Sequence, residues 1–427
     1  MKEPIFLKNA RFSLTMDRGR ILENKSIRMQ DGRIAEIGNI KKQRGDEVID
    51  CSSSLVMPGL VNAHTHVAMV LLRGLNDDAP LQEWLESMWK KEKKLTPDLQ
   101  FDGALMGLME MLRTGTTACL DMYSDFDSAR AAKELGIRLG AGTPLISVFG
   151  PGDERLAKAS DFIDRYKGDD LIVPVVNLHA IYTNDEDTMR KAGELSREKD
   201  VILHAHCSET RKEVFDNRRE KGRLALEELD EHRVVWERTV LAHMGWAASW
   251  EFDIVKERGA SLVHCPTSNQ KLATGGFFPF KDLKEKDITV GLGTDGAASN
   301  NSLDMFREMR SMALLQKGQY WDPLACTSDD ALECATINGS RILGLEGGMI
   351  REGMNADLCI LDIDPHIMPL RKENLSSALV YSAVGDLVNT TVVGGKVVYR
   401  NGRLRDGTSL KERYMEISEK CSEALGI

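Results

Sequence analysis

Residues 55–66 read LVMPGLVNAHTH, a near-continuous apolar run that ends in two histidines two positions apart. Unbroken apolarity of this kind is what a strand buried on both faces requires, whereas a strand with one wet face alternates. Seven further runs share the character: TGTTACLDMY (114–123), IRLGAGTPLI (137–146), LIVPVVNLHA (171–180), VILHAHCSE (201–209), TVLAHMGWA (239–247), GASLVHCPTSN (259–269) and TVGLGTDGAAS (289–299). Between them lie amphipathic stretches such as DFDSARAAKELG (125–136), DEDTMRKAGELSREKD (185–200) and SWEFDIVKERG (249–259). Eight strand-then-helix units in series predict an α/β fold, a (β/α)8 barrel.

Outside the barrel the pattern changes. In KSIRMQDGRIAEIG the pair Asp31-Gly32 sits between two alternating runs, a hairpin signal because a type I′ turn needs positive φ at both central residues. The far end repeats the style in ADLCILDID (356–364) and in TVVGGKVVYRNGRL (390–403), around Gly394-Gly395 and Asn401-Gly402. The two ends are expected to meet in one small sheet domain.

Composition narrows the function. The chain has 427 residues, with 56 basic against 66 acidic, a net charge of −10, which disfavours a nucleic-acid partner. At 42% hydrophobic and 29% charged it reads as an ordinary globular chain. Its eight cysteines form no Cys-x-x-Cys pair and no framework spacing, which suits a reducing compartment, so the cytoplasm is expected. The N-terminus MKEPIFLKNARF lacks the apolar core of a signal peptide. No apolar run reaches the roughly 18 residues that span a bilayer, and membrane insertion is not expected.

Seven of the nine histidines (His64, His66, His179, His204, His206, His243 and His264) fall at or near the C-terminal end of an expected barrel strand, and Asp295 ends the eighth. That end is the active-site face of a barrel. Any one of them reads as a packed core or rim residue, but seven on one rim do not. His64 and His66 share a strand side, so their imidazoles can converge on one ion, although His-x-His alone is a weak signal. With His206 and Asp295 they supply three nitrogens and a carboxylate oxygen, a set suited to zinc and tolerated by ferrous iron or manganese. Such an ion, with one position open to water, would lower the pKa of that water from 15.7 towards about 7.

Glu209, three residues past His206, can shuttle a proton without ligating, or can be a solvated carboxylate at a helix start. His243, in LAHMGW, can polarise the attacked group. The small residues of GTDGAASNN read as a backbone bend that leaves room around Asp295. His204 points to the same side as His206, as a spare ligand or as a packed neighbour. The sequence assigns no role to His264.

PGLVNAHTH, VILHAHCSET, VLAHMGW, LVHCPTSNQKL and LGTDGAASNNS together resemble the amidohydrolase superfamily, and the likeness runs on into GGMIREGMNADLCILD and VVGGKVVYRNG. The resemblance implies a metal-dependent hydrolase on a (β/α)8 barrel at about 59–345, with a small β-sandwich assembled from residues 1–58 and 346–427, the latter including a terminal helix. Binuclear members bridge two metals through a lysine ending the fourth strand; here that strand ends Asn177-Leu178-His179, so one metal is expected. HTHxxMxLLRG, EWL and LGTDGAASNNS are similar to the 5′-methylthioadenosine/S-adenosylhomocysteine deaminase family, which includes 5′-deoxyadenosine deaminases and acts in salvage of S-adenosylmethionine by-products.

That resemblance implies that His64, His66, His206 and Asp295 bind the metal, and that Asp295 also takes the proton of the nucleophilic water. It implies that Glu209 contacts the purine near N1 and moves protons, and that His243 stabilises the tetrahedral intermediate. His179 matches a purine-contacting histidine. Glu92, in WKKEKKLT, matches the carboxylate that holds the ribose hydroxyls, against the alternative of one charge in a solvated KKEKK run. The sequence departs from the family where an arginine is expected after the third strand: Thr143 stands there, while Arg155 in GDERLAK matches a second arginine. Losing a bidentate carboxylate donor weakens selection for the homocysteine tail. Small 5′ groups are therefore expected, as in 5′-deoxyadenosine, 5′-methylthioadenosine or adenosine, with S-adenosylhomocysteine still open.

Three alternatives remain in play. One is a deaminase or hydrolase of a free base or heterocycle (guanine, cytosine, triazine), for which a ribose-binding Glu92 has no purpose. Another is nucleic-acid base editing, whose Pro-Cys-x-x-Cys motif is absent. The last is a non-catalytic scaffold, which would be expected to have lost ligands. A homo-oligomer is the expectation for an enzyme of this size.

Overall fold

A computed structural model describes residues 4–79 and 81–426. Eight parallel barrel strands follow one another in sequence and in space: Leu60–Thr65, Thr116–Asp121, Arg138–Ala141 (continued by Pro144–Leu145), Ile172–Leu178, Ile202–Cys207, Thr239–His243, Ser261–His264 and Val290–Leu292. The last closes on the first through Asp295 N donating to His64 O at 3.0 Å and Thr294 N donating to Asn62 Oδ1 at 3.1 Å. Almost every strand residue is buried, as the near-continuous apolar runs require.

The run 55–66, expected as one strand, is two. Ser54–Pro58 belongs to the terminal sheet and Leu60–Thr65 to the barrel. The switch is at Gly59, where a Cβ would lie 2.2 Å from Thr117 Cγ2 and Oγ1, so only glycine lets the second strand approach. The third strand breaks similarly at Gly142, whose Cβ would sit 1.9 Å from Val175 O.

Both termini build one nine-stranded sheet. Ser54–Pro58 runs parallel to Ile5–Leu14 on one side and antiparallel to Leu358–Asp362 on the other, so it joins the two ends of the chain. The hairpins form where expected: Asp31 and Gly32 (φ 50° and 81°), Gly394 and Gly395 (53° and 67°), and Asn401 and Gly402 (49° and 79°) all take the positive φ of a type I′ turn. Ile5, Leu7, Ile27, Met29, Ile34, Val56, Leu358 and Ile360 fill a core that belongs to this sheet alone. The terminal helix Leu410–Leu425 instead lies on the barrel helix Pro97–Arg113, with Tyr414 Oη donating to Met106 O at 2.7 Å and Lys420 paired with Asp102.

The expected helices are present and capped by sequence. Asp125 caps Phe126–Leu135, which Gly136 ends at φ 82°; Asp185 caps Glu186–Lys199 by accepting from Thr188 N at 2.8 Å; Gly259 ends Glu251–Arg258. All eight cysteines are buried and unbridged. Among the described residues no helix is long and apolar enough to cross a membrane.

Candidate metal centre and active site

The C-terminal rim of the barrel is tied together by its backbone. Met122 N donates to Thr65 O (2.9 Å), His206 N to His179 O (3.0 Å), Met244 N to Cys207 O (2.9 Å) and Gly293 N to His264 O (3.0 Å). Side chains mounted on such a rim are held more closely than side chains on free loops. Ser208, His243, Met244 and Asp295 take left-handed backbone, with φ of 50°, 79°, 53° and 59°. Non-glycine residues there cost about 1–3 kcal/mol each, a strain that the surrounding rim sustains and that aims His243 and Asp295 inward.

His64, His206, His243 and Asp295 each offer a ligating atom within 4.8 Å of the others. His66 Nε2 stands 3.1 Å from Asp295 Oδ1 and 3.2 Å from His206 Nε2. The outer nitrogens of two rings face backbone carbonyls: His66 Nδ1 donates to Met122 O and His206 Nδ1 to His179 O, both at 2.9 Å. A carbonyl only accepts, so in the neutral rings the proton is on Nδ1 and the lone pair on Nε2. His64 Nε2 is buried without a hydrogen-bond partner, 3.4 Å from Asp295 Oδ1. His66 Nε2, His206 Nε2 and the Asp295 carboxylate therefore turn acceptors towards one point, with the unpartnered His64 Nε2 beside them, which is the chemistry of a cation site, and the set fits a divalent metal.

Burial pushes Asp295 upward, but the His64 and His66 imidazoles beside it outweigh this and hold the carboxyl well below its usual range. Ser268 Oγ (2.6 Å) and Ser299 Oγ (2.8 Å) fasten its other oxygen. Burial depresses His66, yet the hydrogen bond and negative charge of Asp295 raise it on balance. His64 falls to about 4 and His206 well below the usual imidazole value, chiefly by burial.

Glu209 lies beside this cluster, buried, with Oε1 4.0 Å from His243 Nε2. Burial raises its pKa. Its backbone is fixed by Glu213, whose carboxylate accepts from Ser208 N (3.1 Å) and Glu209 N (2.8 Å). Asn269 Nδ2 donates to His243 Nδ1 at 3.1 Å, which leaves the His243 proton on Nε2. A protonated Nε2 is a donor, so His243 is suited to stabilising negative charge and not to ligation.

These residues open into a cavity of about 690 Å³, within the range of small-molecule sites. His66, His179, His206, Glu209, His243 and Asp295 line it, as do Glu92, Thr143 and Arg155. Helix Leu81–Glu92 supplies an apolar wall with Trp84, Leu85, Met88 and Trp89, and ends in Glu92, which shares a hydrogen bond with Tyr123. Glu92 is half-buried and lines the cavity, and desolvation raises its carboxyl. Thr183 Oγ1 donates to Ala180 O and accepts from His179 Nδ1 at 3.0 Å, leaving His179 Nε2 an acceptor; burial pulls its pKa down to about 3.

Thr143 is not free for a ligand: its Oγ1 donates to Asp125 Oδ2 at 2.8 Å, and Lys158 Nζ meets the same oxygen at 2.6 Å. Arg155 Nη1 donates to Pro144 O at 3.1 Å. His264 is outside the cavity, stacked on Phe278 with ring centroids 4.3 Å apart, and is a packing residue. His204 bonds His64 Nδ1 at 2.8 Å from below the cluster, as a neighbour. Sequence reading passed over Asp125, Tyr123, Ser268, Ser299, Asn177 and Glu213; the only local signal was the spacing of Glu213 four residues after Glu209 on a helix start.

Glu308 supports the loop that carries Asp295. It accepts from Asn300 Nδ2 at 2.7 Å, and the same amide donates to Thr294 O at 2.7 Å. Burial pushes its carboxyl up to about 7 from an ordinary 4.5. A raised carboxyl favours folding while protonated, so its contribution is full below pH 4.5, declines as pH rises to about 7, and is then flat. The Tm of Glu308→Gln is expected to gain on wild type across that interval in paired thermal melts; parallel curves would show that Glu308 ionises as freely as in water.

The Amidohydrolase family profile matches residues 55–398. The chain is 40% identical over 412 residues to a 5′-deoxyadenosine deaminase of Methanothermobacter thermautotrophicus, covering 94% of each chain. It is 39% identical over 390 residues to a 5-methylthioadenosine/S-adenosylhomocysteine deaminase of Pyrococcus furiosus, covering 88% of this chain and 91% of that one. Among solved structures, an adenosine deaminase from Xanthomonas campestris with bound zinc superposes with a TM-score of 0.93 at 31% identity, over 99% of this chain and 98% of the other. With the family match running from the terminal-sheet strand Ser54–Pro58 through the whole barrel and back into the terminal sheet, and relatives this similar along nearly the whole chain, this protein belongs to the amidohydrolase family.

Proposed function

We propose that this protein is a metal-dependent aminohydrolase that converts adenosine-type nucleosides to the inosine analogue and ammonia. The observation that carries the reading is one cavity lined both by His66, His206 and Asp295, with His64 packed directly behind them, and by the half-buried carboxylate Glu92. A free base has no use for Glu92; a ribose does, through its two hydroxyls. Relatives named as deaminases of 5′-deoxyadenosine and of methylthioadenosine support the same class.

His64, His66, His206 and Asp295 would hold one divalent ion, zinc by preference for this N₃O set, with iron or manganese compatible. When bound, the ion supplies the acidity that lets water lose a proton near neutral pH. Asp295, kept ionised by its imidazole neighbours, accepts that proton. Glu209, kept protonated to higher pH by burial, donates its proton to ring N1 as C6 is attacked; the proton held by Asp295 then passes to the leaving amine, and Glu209 takes the hydroxyl proton as the C6 carbonyl forms. His243 Nε2–H donates to the oxygen that gains charge at C6. His179 Nε2 accepts from the purine and orients it. Ammonia departs and the hypoxanthine product remains.

The 5′ end of the substrate would face Thr143, Asp125, Lys158 and Arg155. Lys158 is neutralised by Asp125, Thr143 is committed to the same carboxylate, and Arg155 is partly spent on Pro144 O. This pattern supports small, uncharged 5′ groups over an amino-acid tail. Unbridged cysteines support a cytoplasmic location, and a symmetric homo-oligomer is the expectation for an enzyme of this size.

The test is ammonia release, as kcat/KM, over 5′-deoxyadenosine, 5′-methylthioadenosine, adenosine, S-adenosylhomocysteine and free adenine, guanine and cytosine. The three small nucleosides are expected to lead. A free base in first place would overturn the nucleoside reading, and a clear S-adenosylhomocysteine preference would overturn the 5′ reading. Glu92→Ala is expected to lower kcat/KM for nucleosides about 10–100-fold, the loss of a charged hydrogen bond or two.

A further inference from the structure

Of the three histidines assigned to the metal, two have their outer nitrogen on a backbone carbonyl, and His64 does not. Its Nδ1 faces another imidazole, His204 Nε2, at 2.8 Å. An imidazole nitrogen can donate or accept, so this contact by itself leaves the His64 proton undecided.

The next link decides it. Asn177 Nδ2 lies 2.9 Å from Asp121 O and 3.0 Å from Gly142 O. Carbonyl oxygens only accept, so the amide NH₂ must face them and Oδ1 must face His204 Nδ1, at 3.1 Å. That oxygen accepts in turn, so the His204 proton is on Nδ1. A neutral imidazole has one ring proton, and His204 Nε2 then accepts from His64 Nδ1–H. The His64 lone pair is left on Nε2, the buried atom with no hydrogen-bond partner, beside Asp295. Asn177, His204 and His64 are each fully buried, on the fourth, fifth and first barrel strands, so no water competes along the chain.

We propose that Asn177 and His204 form a relay that fixes the tautomer of His64, making His204 a positioning residue for the metal centre. Reverse the His204 proton and His64 must accept at Nδ1, carry its proton on Nε2, and lose the ability to ligate. The inference rests on the reading of His64 as a ligand, which is tested separately: if His64→Ala keeps wild-type metal affinity, that reading fails whatever His204 does.

Zinc affinity of metal-free protein, by competition with a chromophoric chelator, tests the relay. His204→Leu keeps bulk but removes both nitrogens, and is expected to bind zinc about 10–100-fold more weakly, as loss of an outer hydrogen bond to a ligand does. His204→Gln can donate to Asn177 Oδ1 and accept from His64 Nδ1, so it is expected to recover at least fivefold of that loss. No loss in the leucine variant, or equal loss in both, overturns the relay in favour of packing alone. Nitrogen-15 NMR of histidine-labelled, metal-free wild type gives a second readout that needs no variant to fold. His64 is expected as the Nδ1–H tautomer, and an Nε2–H signal for it overturns the proposal.

Discussion

Asp295→Asn is expected to lower kcat for ammonia release by about 10⁴-fold or more. The carboxylate is the only anion among the four assigned ligands, and its Oδ1 faces His66 Nε2 at 3.1 Å and His64 Nε2 at 3.4 Å. An amide there loses the charge that balances the ion and the base that takes the proton of water, and acid–base groups alone are worth about 10²–10⁴. Ser268 and Ser299 donate to Oδ2, so the amide must turn its oxygen to them and its NH₂ towards the two imidazoles. The variant should therefore lose metal as well as rate. Metal per chain, measured beside steady-state kinetics, checks both; activity within tenfold of wild type would remove Asp295 from the mechanism.

Glu209→Gln should separate chemistry from metal binding. Glu209 lies beside the cluster but outside the ligand set, so metal content is expected to stay at the wild-type level while kcat falls about 10²–10⁴-fold. Burial raises this carboxyl while the neighbouring Asp295 is held down, and two acids pushed apart in this way divide the acid and base roles. Because protonated Glu209 is the working form, wild-type kcat/KM is expected to fall on the alkaline side as that proton is lost. The glutamine variant should lack this limb. A variant that keeps both rate and alkaline limb would make Glu209 a bystander.

The barrel was readable because its signal is one-dimensional. Eight apolar runs at strand length, each followed by a helical stretch, leave few other folds, and the Asp-Gly, Gly-Gly and Asn-Gly turns specify their own backbone. The break at Gly59 was not readable, since a glycine in an apolar run gains its meaning only from Thr117, 58 residues on, pressing against it. For the site, the histidines and Asp295 were marked by clustering at strand ends. Glu92 was ambiguous in KKEKK, and its place at the site follows from helix Leu81–Glu92 forming one wall of the cavity.

The sequence by itself determined the fold class, the rim of the barrel on which the histidines gather, and residue types suited to metal ligation, because strand period and motif spacing are local properties of the chain. Tertiary structure alone decided which nitrogen of each imidazole faces inward, that His243 donates where its neighbours accept, that His264 packs, and that Thr143 is spoken for by Asp125. These are questions of direction and partner. Their answers depend on atoms brought together from strands far apart in the chain, where a carbonyl, an amide or a carboxylate fixes the role of the group it meets.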